Sequence, residues 1–177
     1  MHHPQYENHI WATDFTYIPF QGRFVYAGTV IDLYTRKIVG LSVYTTHAVQ
    51  LTLSSFLSAI HANPRPLIFH SDNGSEYNTD VFIEALTTVG VQISRSAPGC
   101  PWENGYQESF YNQFKVDLGD PNRFAVLGEF VAEIYRTIHV YNTVRIHSAL
   151  RMSPHQFALI HATAHRILSG LYRMCDL

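Results

Sequence analysis

The chain has 177 residues, enough for one domain with a substantial core, and its 46% hydrophobic and 14% aromatic content is that of a folded globule. A formal net charge of −2, from 12 Lys and Arg against 14 Asp and Glu, excludes the composition of a strongly basic nucleic-acid-binding module. No apolar run approaches the ~20 residues of a membrane helix, and the polar start Met1-His2-His3-Pro4 has no signal-peptide core. Cys100 and Cys175 are distant and form no CxxC pair, which suits a reducing cell interior and offers no structural zinc. The 11 histidines are scattered rather than spaced as metal ligands.

In chain order, residues 1–8 are polar and read as an arm. Ile10 to Ile18 is β-branched and aromatic, a strand that Pro19 should end. Phe24–Leu33 and Lys37–Tyr44 are two more strands with short connections, so the first three form an antiparallel meander. A helix is expected from Thr46 or His47 to about His61, with Val49, Leu53, Phe56, Leu57 and Ile60 on one stripe. The run 67–71, preceded by Pro64 and Pro66, is a short buried strand. Thr79 or Asp80 caps the next helix and Gly90 closes it. Residues 91–94 are a fifth strand, and 95–105, rich in Pro and Gly, are a mobile loop. A helix then runs to about Leu118, a long one covers Val126–Tyr141, 142–152 is extended and basic, and Ser153-Pro154 opens a short helix. The order β-β-β-α-β-α-β-α-α predicts a mixed five-stranded sheet flanked by helices.

Three acids stand out. Asp14 lies mid-strand among apolar neighbours, where an unpaired carboxylate is costly and a divalent cation is a suitable partner. Asp72 ends the fourth strand, where α/β sheets collect ligands, although an Asp-Asn-Gly sequence also hydrogen-bonds its own turn. Glu108 sits in the helix after the loop. Between Asp14 and Asp72 lie 57 residues, and between Asp72 and Glu108 lie 35.

With their surroundings, Thr13-Asp14-Phe15-Thr16-Tyr17, His70-Ser71-Asp72-Asn73-Gly74-Ser75-Glu76-Tyr77 and Pro101 to Phe110, these acids resemble the three acidic motifs of insertion-sequence transposases of the DDE type, whose catalytic core is similar to retroviral integrase. The 35-residue gap and Lys115, seven residues after Glu108, match that family's pattern. Tyr141-Asn142, Arg145-Ile146-His147, Leu150 and Ser153-Pro154 resemble the segment closing this core. The resemblance covers roughly 9–158 and leaves 159–177 as a helical tail.

The resemblance implies a ribonuclease H-like α/β fold. It implies Asp14, Asp72 and Glu108 as catalytic metal ligands, with Asp14 or Asp72 bridging two Mg²⁺ (or Mn²⁺) ions and Glu108 as the movable third acid. The activity would be DNA end cleavage, then direct attack of the freed 3′-OH on target DNA. The partners would be element ends and target DNA, with a homo-oligomer in the active complex. The setting would be the bacterial cytoplasm, at the nucleoid during activity. Two other classes fit the same residues: a ribonuclease H-like nuclease without strand transfer, and a non-catalytic DNA-docking or oligomerisation module.

Lys115 is two helical turns from Glu108 and would meet a DNA phosphate; otherwise it is a solvated lysine. Asn73 and Gly74 admit DNA to the turn or simply make it. Arg145 and His147 face DNA or pack the closing segment. Asp32, near Arg36, reads as a structural acid, in an ion pair or a turn, rather than a metal ligand, and Glu76 as facing solvent or DNA. The aromatic residues 106, 110, 111 and 114 read as core. Full transposases of this type carry an upstream helix-turn-helix region, so recognition of element ends is expected to lie outside this chain.

Overall fold

The structure, a computed structural model, describes residues 3–96 and 105–162. Five strands form one sheet in the order β3-β2-β1-β4-β5. They are β1 (Ile10–Phe20), β2 (Arg23–Asp32), β3 (Ile38–Tyr44), β4 (Ile68–Ser71) and β5 (Gln92–Arg95). β1, β2 and β3 pair antiparallel, whereas β4 joins β1, and β5 joins β4, in parallel. This is the mixed sheet read from the element order. The helices are α1 (Val49–Ala62), α2 (Asp80–Thr88), α3 (Gly105–Leu118) and α4 (Leu127–Thr143), and residues 154–162 are also helical. Among the described residues no helix is long and apolar enough to cross a membrane.

Alternation along β1 divides the core. Ile10, Ala12, Ile18 and Phe20 point to the face covered by α3 and α4 through Phe110, Phe114, Leu118, Phe130 and Ile134. Trp11 points to the other face, with Phe56 and Ala59 of α1 and Phe82 and Leu86 of α2. Both faces of the sheet are covered, which is why β1 begins as an unbroken buried run rather than an alternating one.

Four expectations change at the level of local structure. β1 runs past Pro19 to the hairpin, where Pro19 pairs only with Phe24 of β2; β4 reaches no further than Ala12, and a proline is tolerated where a strand lacks a second neighbour. α1 starts at Val49, because His47 is held off the helix against the rings of Phe15 and Tyr26, at centroid distances of 4.5 and 5.7 Å. Its buried face runs through Leu51, Ser55, Phe56 and Ala59, and Leu57 points outward. Small residues face the sheet because α1 lies directly on Gly40, where any Cβ would strike the Ser55 carbonyl and the Ala59 methyl. Residues 144–152 are not extended. Leu150 and Arg151 both donate to the His147 carbonyl, and His147 N–H donates to Met152 O at 3.0 Å. Arg151 adopts a left-handed φ of 58° to complete this turn.

α2 starts and stops as read: the Thr79 side chain caps it by accepting from Phe82 N–H, and Gly90 ends it at φ 72°. The loop expected over 95–105 falls largely on 97–104, outside the described residues, as do Cys100 and the tail beyond 162.

Candidate active site

The parallel pairing of β1 with β4 sets Ile10 beside Ile68, Trp11 beside Phe69 and Ala12 beside His70. The pairing ends there and β4 stops at Ser71, but Asp72, the next residue, lies near enough to Asp14 for its charge to act on the Asp14 carboxyl. β4 ends there because Asp72 turns the chain. Its Oδ1 accepts from Gly74 N–H at 2.9 Å. Asn73 donates to the Ser96 carbonyl at 2.7 Å, and Asn78 donates to the carbonyls of both Asn73 and Gly74. A Cβ on Gly74 would lie 2.7 Å from Glu76 Oε1 and 3.0 Å from Asp72 Oδ1, so two carboxylates crowd this glycine. The structure therefore uses both Asn73 and Gly74 to build the turn. Beneath it, His70 is held by Ser94 and Ser96 of the β5 strand and its extension, each at 3.1 Å.

Asp14 is half-buried. Its carboxyl is pushed up to about 7, first by burial, then by the negative charges of Asp72, Glu108 and Glu76; a hydrogen bond from Phe15 N–H at 2.8 Å opposes the shift. Four acids thus share one corner of the sheet. Glu108 enters from the exposed first turn of α3. Among the described residues, no three His, Cys, Asp or Glu side chains are gathered closely enough to grip one ion. Glu76 does not face solvent as read from sequence. It is 9% exposed, turned inward by the tight helical turn at Ser75–Asn78, with His47 Nε2 3.6 Å away. Lys115 is exposed, with Nζ 5.5 Å from the centre of the Tyr17 ring, beside the β1–β2 hairpin.

A polar lock that sequence reading missed seats α3 on the sheet at this corner. Thr29, opposite Asp14 on β2, lies 2.8 Å from the Tyr111 hydroxyl and 3.2 Å from Gln107 Oε1. The Tyr111 hydroxyl donates to the Asp14 carbonyl at 2.7 Å, and Gln107 Nε2 donates to the Ala12 carbonyl at 2.8 Å. Gln107 and Tyr111 are four apart on one helical face, flanking Glu108, so both anchors grip the strand that carries Asp14. The available signal was a glutamine facing inward on a helix opposite a threonine in an apolar strand. Phe110, Tyr111 and Phe114 are core as expected, but Tyr106 is 36% exposed.

Arg145 and His147 do not join the carboxylates. They line a cleft on the other flank of α3, together with Tyr106, Ser109 and Gln113. Arg145 grips Asp117 with two hydrogen bonds of 2.8 and 2.7 Å. Burial, then Arg36 and Arg145, pulls His147 below the usual imidazole range.

The profile of the family described as "Integrase core domain" matches residues 4–101, and a second profile of the same description matches 89–154. The transposase for insertion sequence element IS904 of Lactococcus lactis subsp. lactis is 38% identical over 146 residues, covering 81% of this chain and 58% of that protein. Transposase InsF for insertion sequence IS3A of Escherichia coli is 31% identical over 154 residues, covering 85% and 54%. The chain spans about half the length of the curated relatives it matches. Among solved structures, the HTLV-2 integrase catalytic core domain in complex with magnesium (trimeric form) superposes with a TM-score of 0.75 at 19% identity, covering 88% of this chain and 99% of that one. The fold is therefore ribonuclease H-like, as in retroviral integrase cores.

Proposed function

Since the chain belongs to the integrase core domain family, we propose that residues 9–158 are the catalytic core of a DNA transposase, acting by metal-dependent end cleavage and direct strand transfer. The observation that carries this reading is Asp14, a mid-strand carboxylate pushed up to about 7 amid Asp72, Glu108 and Glu76. Among the described residues, every charged side chain that shifts it is another carboxylate. Such a donor set is all oxygen and short of positive charge, which suits Mg²⁺ or Mn²⁺.

Asp14, Asp72 and Glu108 would hold the two divalent ions in this reading. When bound, the paired cations would stabilise the attacking and leaving oxygens of an in-line phosphoryl transfer. The chain's own residues hold the geometry. In this reading β1 and the turn after β4 carry two acids, the Gln107–Tyr111 lock seats the helix bearing the third, and Lys115 further along α3 would take a phosphate of the bound strand. Water would cleave the element end and leave a 3′-OH; that oxygen would then attack a phosphodiester phosphorus of target DNA and release the target strand's 3′-oxygen, one P–O bond forming as one breaks, without a protein–DNA bond. Element ends and target DNA are the partners, in an oligomer; the structural neighbour's trimeric and dimeric forms support the last point for that protein.

The test pairs Mn²⁺ titration calorimetry with a gel assay on labelled DNA duplexes in Mg²⁺ or Mn²⁺. Binding and joining by wild type, both lost in Asp14→Asn, Asp72→Asn and Glu108→Gln, is the expected result. Cutting without joining reassigns the chain as a nuclease. DNA binding without turnover reassigns it as a docking or oligomerisation module.

A further inference from the structure

The second flank of α3 carries a feature that the carboxylate corner does not use. Tyr106, Ser109, Gln113 and Val116 recur at helical spacing and line a cleft of about 940 Å³, opposite the flank of Glu108 and Lys115. The facing wall comes from Arg36, in the turn between β2 and β3, and from residues 145–149. Arg36 is held in a left-handed conformation at φ 62°, and its carbonyl accepts from the Tyr141 hydroxyl at 3.0 Å. Its guanidinium lies over the Tyr106 ring, 3.8 Å from the centroid.

The polar groups of this cleft are incompletely used. Among the described residues, Arg36 Nη1 and His147 Nδ1 are both buried without a hydrogen-bond partner, two such atoms in residues that line one cavity. Buried donors without acceptors are costly, and native structures rarely keep them. Arg145 is already engaged by Asp117, and among the described residues no carboxylate forms an ion pair with Arg36. The rest of the wall mixes hydroxyl and amide groups (Ser109, Asn112, Gln113) with aromatic and aliphatic side chains such as Phe110, Val116 and Ile146, and its volume exceeds that of a simple anion, which suits a ligand with both a charged and an apolar part. A guanidinium over an aromatic ring, with an imidazole alongside, suits phosphate oxygens carried by a nucleoside.

We propose that the cleft between α3 and the 145–149 turn is a second nucleic-acid subsite, in which Arg36 and His147 donate to the oxygens of a nucleotide phosphate. This rests on the reading of the chain as a DNA-acting core. It adds a strand contact on the far flank of α3 from the acids, and Arg36 is its principal residue. The same phosphate chemistry could come from a DNA strand or a free nucleotide.

The experiment is equilibrium binding of the 177-residue chain, in EDTA so that cutting plays no part. Fluorescence anisotropy reads a labelled single strand of ~12 nucleotides across a KCl series, a length within the range of single-strand sites. Arg36→Gln keeps the aliphatic stem and the backbone carbonyl that Tyr141 uses. It is expected to weaken binding about tenfold and to lower the salt slope by about one, the share of one phosphate contact. His147→Gln, an independent variant should Arg36→Gln fold poorly, is expected to weaken binding roughly threefold, with a smaller change in slope than Arg36→Gln because its imidazole is uncharged before binding. Thymidine monophosphate, added as competitor, separates the sources. Displacement of the strand through an Arg36-dependent site assigns free nucleotides as well, and no displacement assigns the strand alone; both support the subsite.

Equal affinity and equal salt slope in wild type and both variants would overturn the subsite while leaving the parent reading intact. No DNA binding by wild type would overturn both. Arg36-dependent binding of a Glu-rich peptide, with DNA unaffected by either variant, would overturn it in favour of a protein partner.

Discussion

Asp14 and Asp32 sit on adjacent strands and experience the same dominant force: burial pushes both carboxyls up. Their surroundings answer it differently. Asp32, at the end of β2 and 0% exposed, accepts from the backbone N–H groups of Asn8 at 2.7 Å, Tyr34 at 3.1 Å and Thr35 at 2.7 Å, and from the Thr35 hydroxyl at 2.8 Å. Its charge is absorbed by fixed dipoles that tie the arm before β1 to the turn after β2. Asp14 has, among the described residues, one donor, Phe15 N–H, and three neighbouring acids. A carboxylate enclosed by donors is part of the scaffold. One enclosed by other carboxylates is poised for a cation. Burial alone does not separate the two cases; the sign of the surrounding charge does.

The sharpest way to break this contrast is substitution by the neutral isostere. Asp14→Asn or Asp72→Asn should reduce metal-dependent DNA cleavage at least ~1000-fold, since the loss of one ligand forfeits several kcal/mol of transition-state stabilisation. The metal-free proteins should melt no lower than wild type, and the Mg²⁺-dependent rise in Tm should vanish. Wild-type turnover in Asp14→Asn would move Asp14 into the scaffold class with Asp32.

The converse substitution, Asp32→Asn, should cost about 3 kcal/mol in urea unfolding, because the amide turns N–H groups toward donors that previously met a carboxylate. A change below ~0.5 kcal/mol, the ordinary range of surface substitutions, would show that the four hydrogen bonds do little for the fold.

A pH series sharpens the contrast further. The Asp14 carboxyl titrates near 7 in the folded chain, against 3.8 for an ordinary aspartate. Between those limits the folded state keeps a proton that the unfolded state has released. Metal-free stability should therefore fall as pH rises through this window and level off above it, with a slope of at most about 1.4 kcal/mol per pH unit. Asp32 contributes with the same sign, so the informative quantity is the difference between wild type and Asp14→Asn. Identical pH profiles for the two proteins would remove Asp14 as the source.

The smallest effect belongs to Glu76. Its charge is the last of the three acidic influences on Asp14, so Glu76→Gln should lower the midpoint of that transition slightly and raise metal-free stability at pH 8 by roughly 0.5 kcal/mol or less. A midpoint that moves upward instead would mean that Glu76 is not a repulsive neighbour of Asp14.

What sequence made legible follows from which forces are local. The strands, the Thr79 cap and the Gly90 stop depend on a few adjacent residues, and they stand where the pattern placed them within a residue or two. Asp32 was readable as a structural acid, and of the ion pair and the turn that the sequence offered, the turn holds, because its partners Tyr34 and Thr35 are its immediate neighbours. Features set by partners far along the chain were not readable. Glu76 was assigned to the surface because nothing adjacent marks it as buried, yet the turn at 75–78 and the approach of Gly74 draw it inward. The Thr29–Gln107–Tyr111 lock joins β2 to α3 across 78 and 82 positions. Residues 144–152 looked extended because their basic, helix-poor composition hides carbonyl acceptors at His147 and Met152.

The three-pair junction of β1 and β4 also sets a clock. Ile10 meets Ile68, 58 positions later, whereas β1 and β2 close through the local pair Phe20–Arg23. Nearby pairs form early and distant parallel ones late, because loop closure must precede them. On a translating ribosome at about 5–20 residues per second, Asp72 is made about 3–12 s after Asp14. For that interval, and until β4 docks, the growing chain carries its first acid alone on a finished hairpin. The carboxylate corner comes into being only with completed tertiary structure, so the maturation of the fold is itself the gate on when the corner exists.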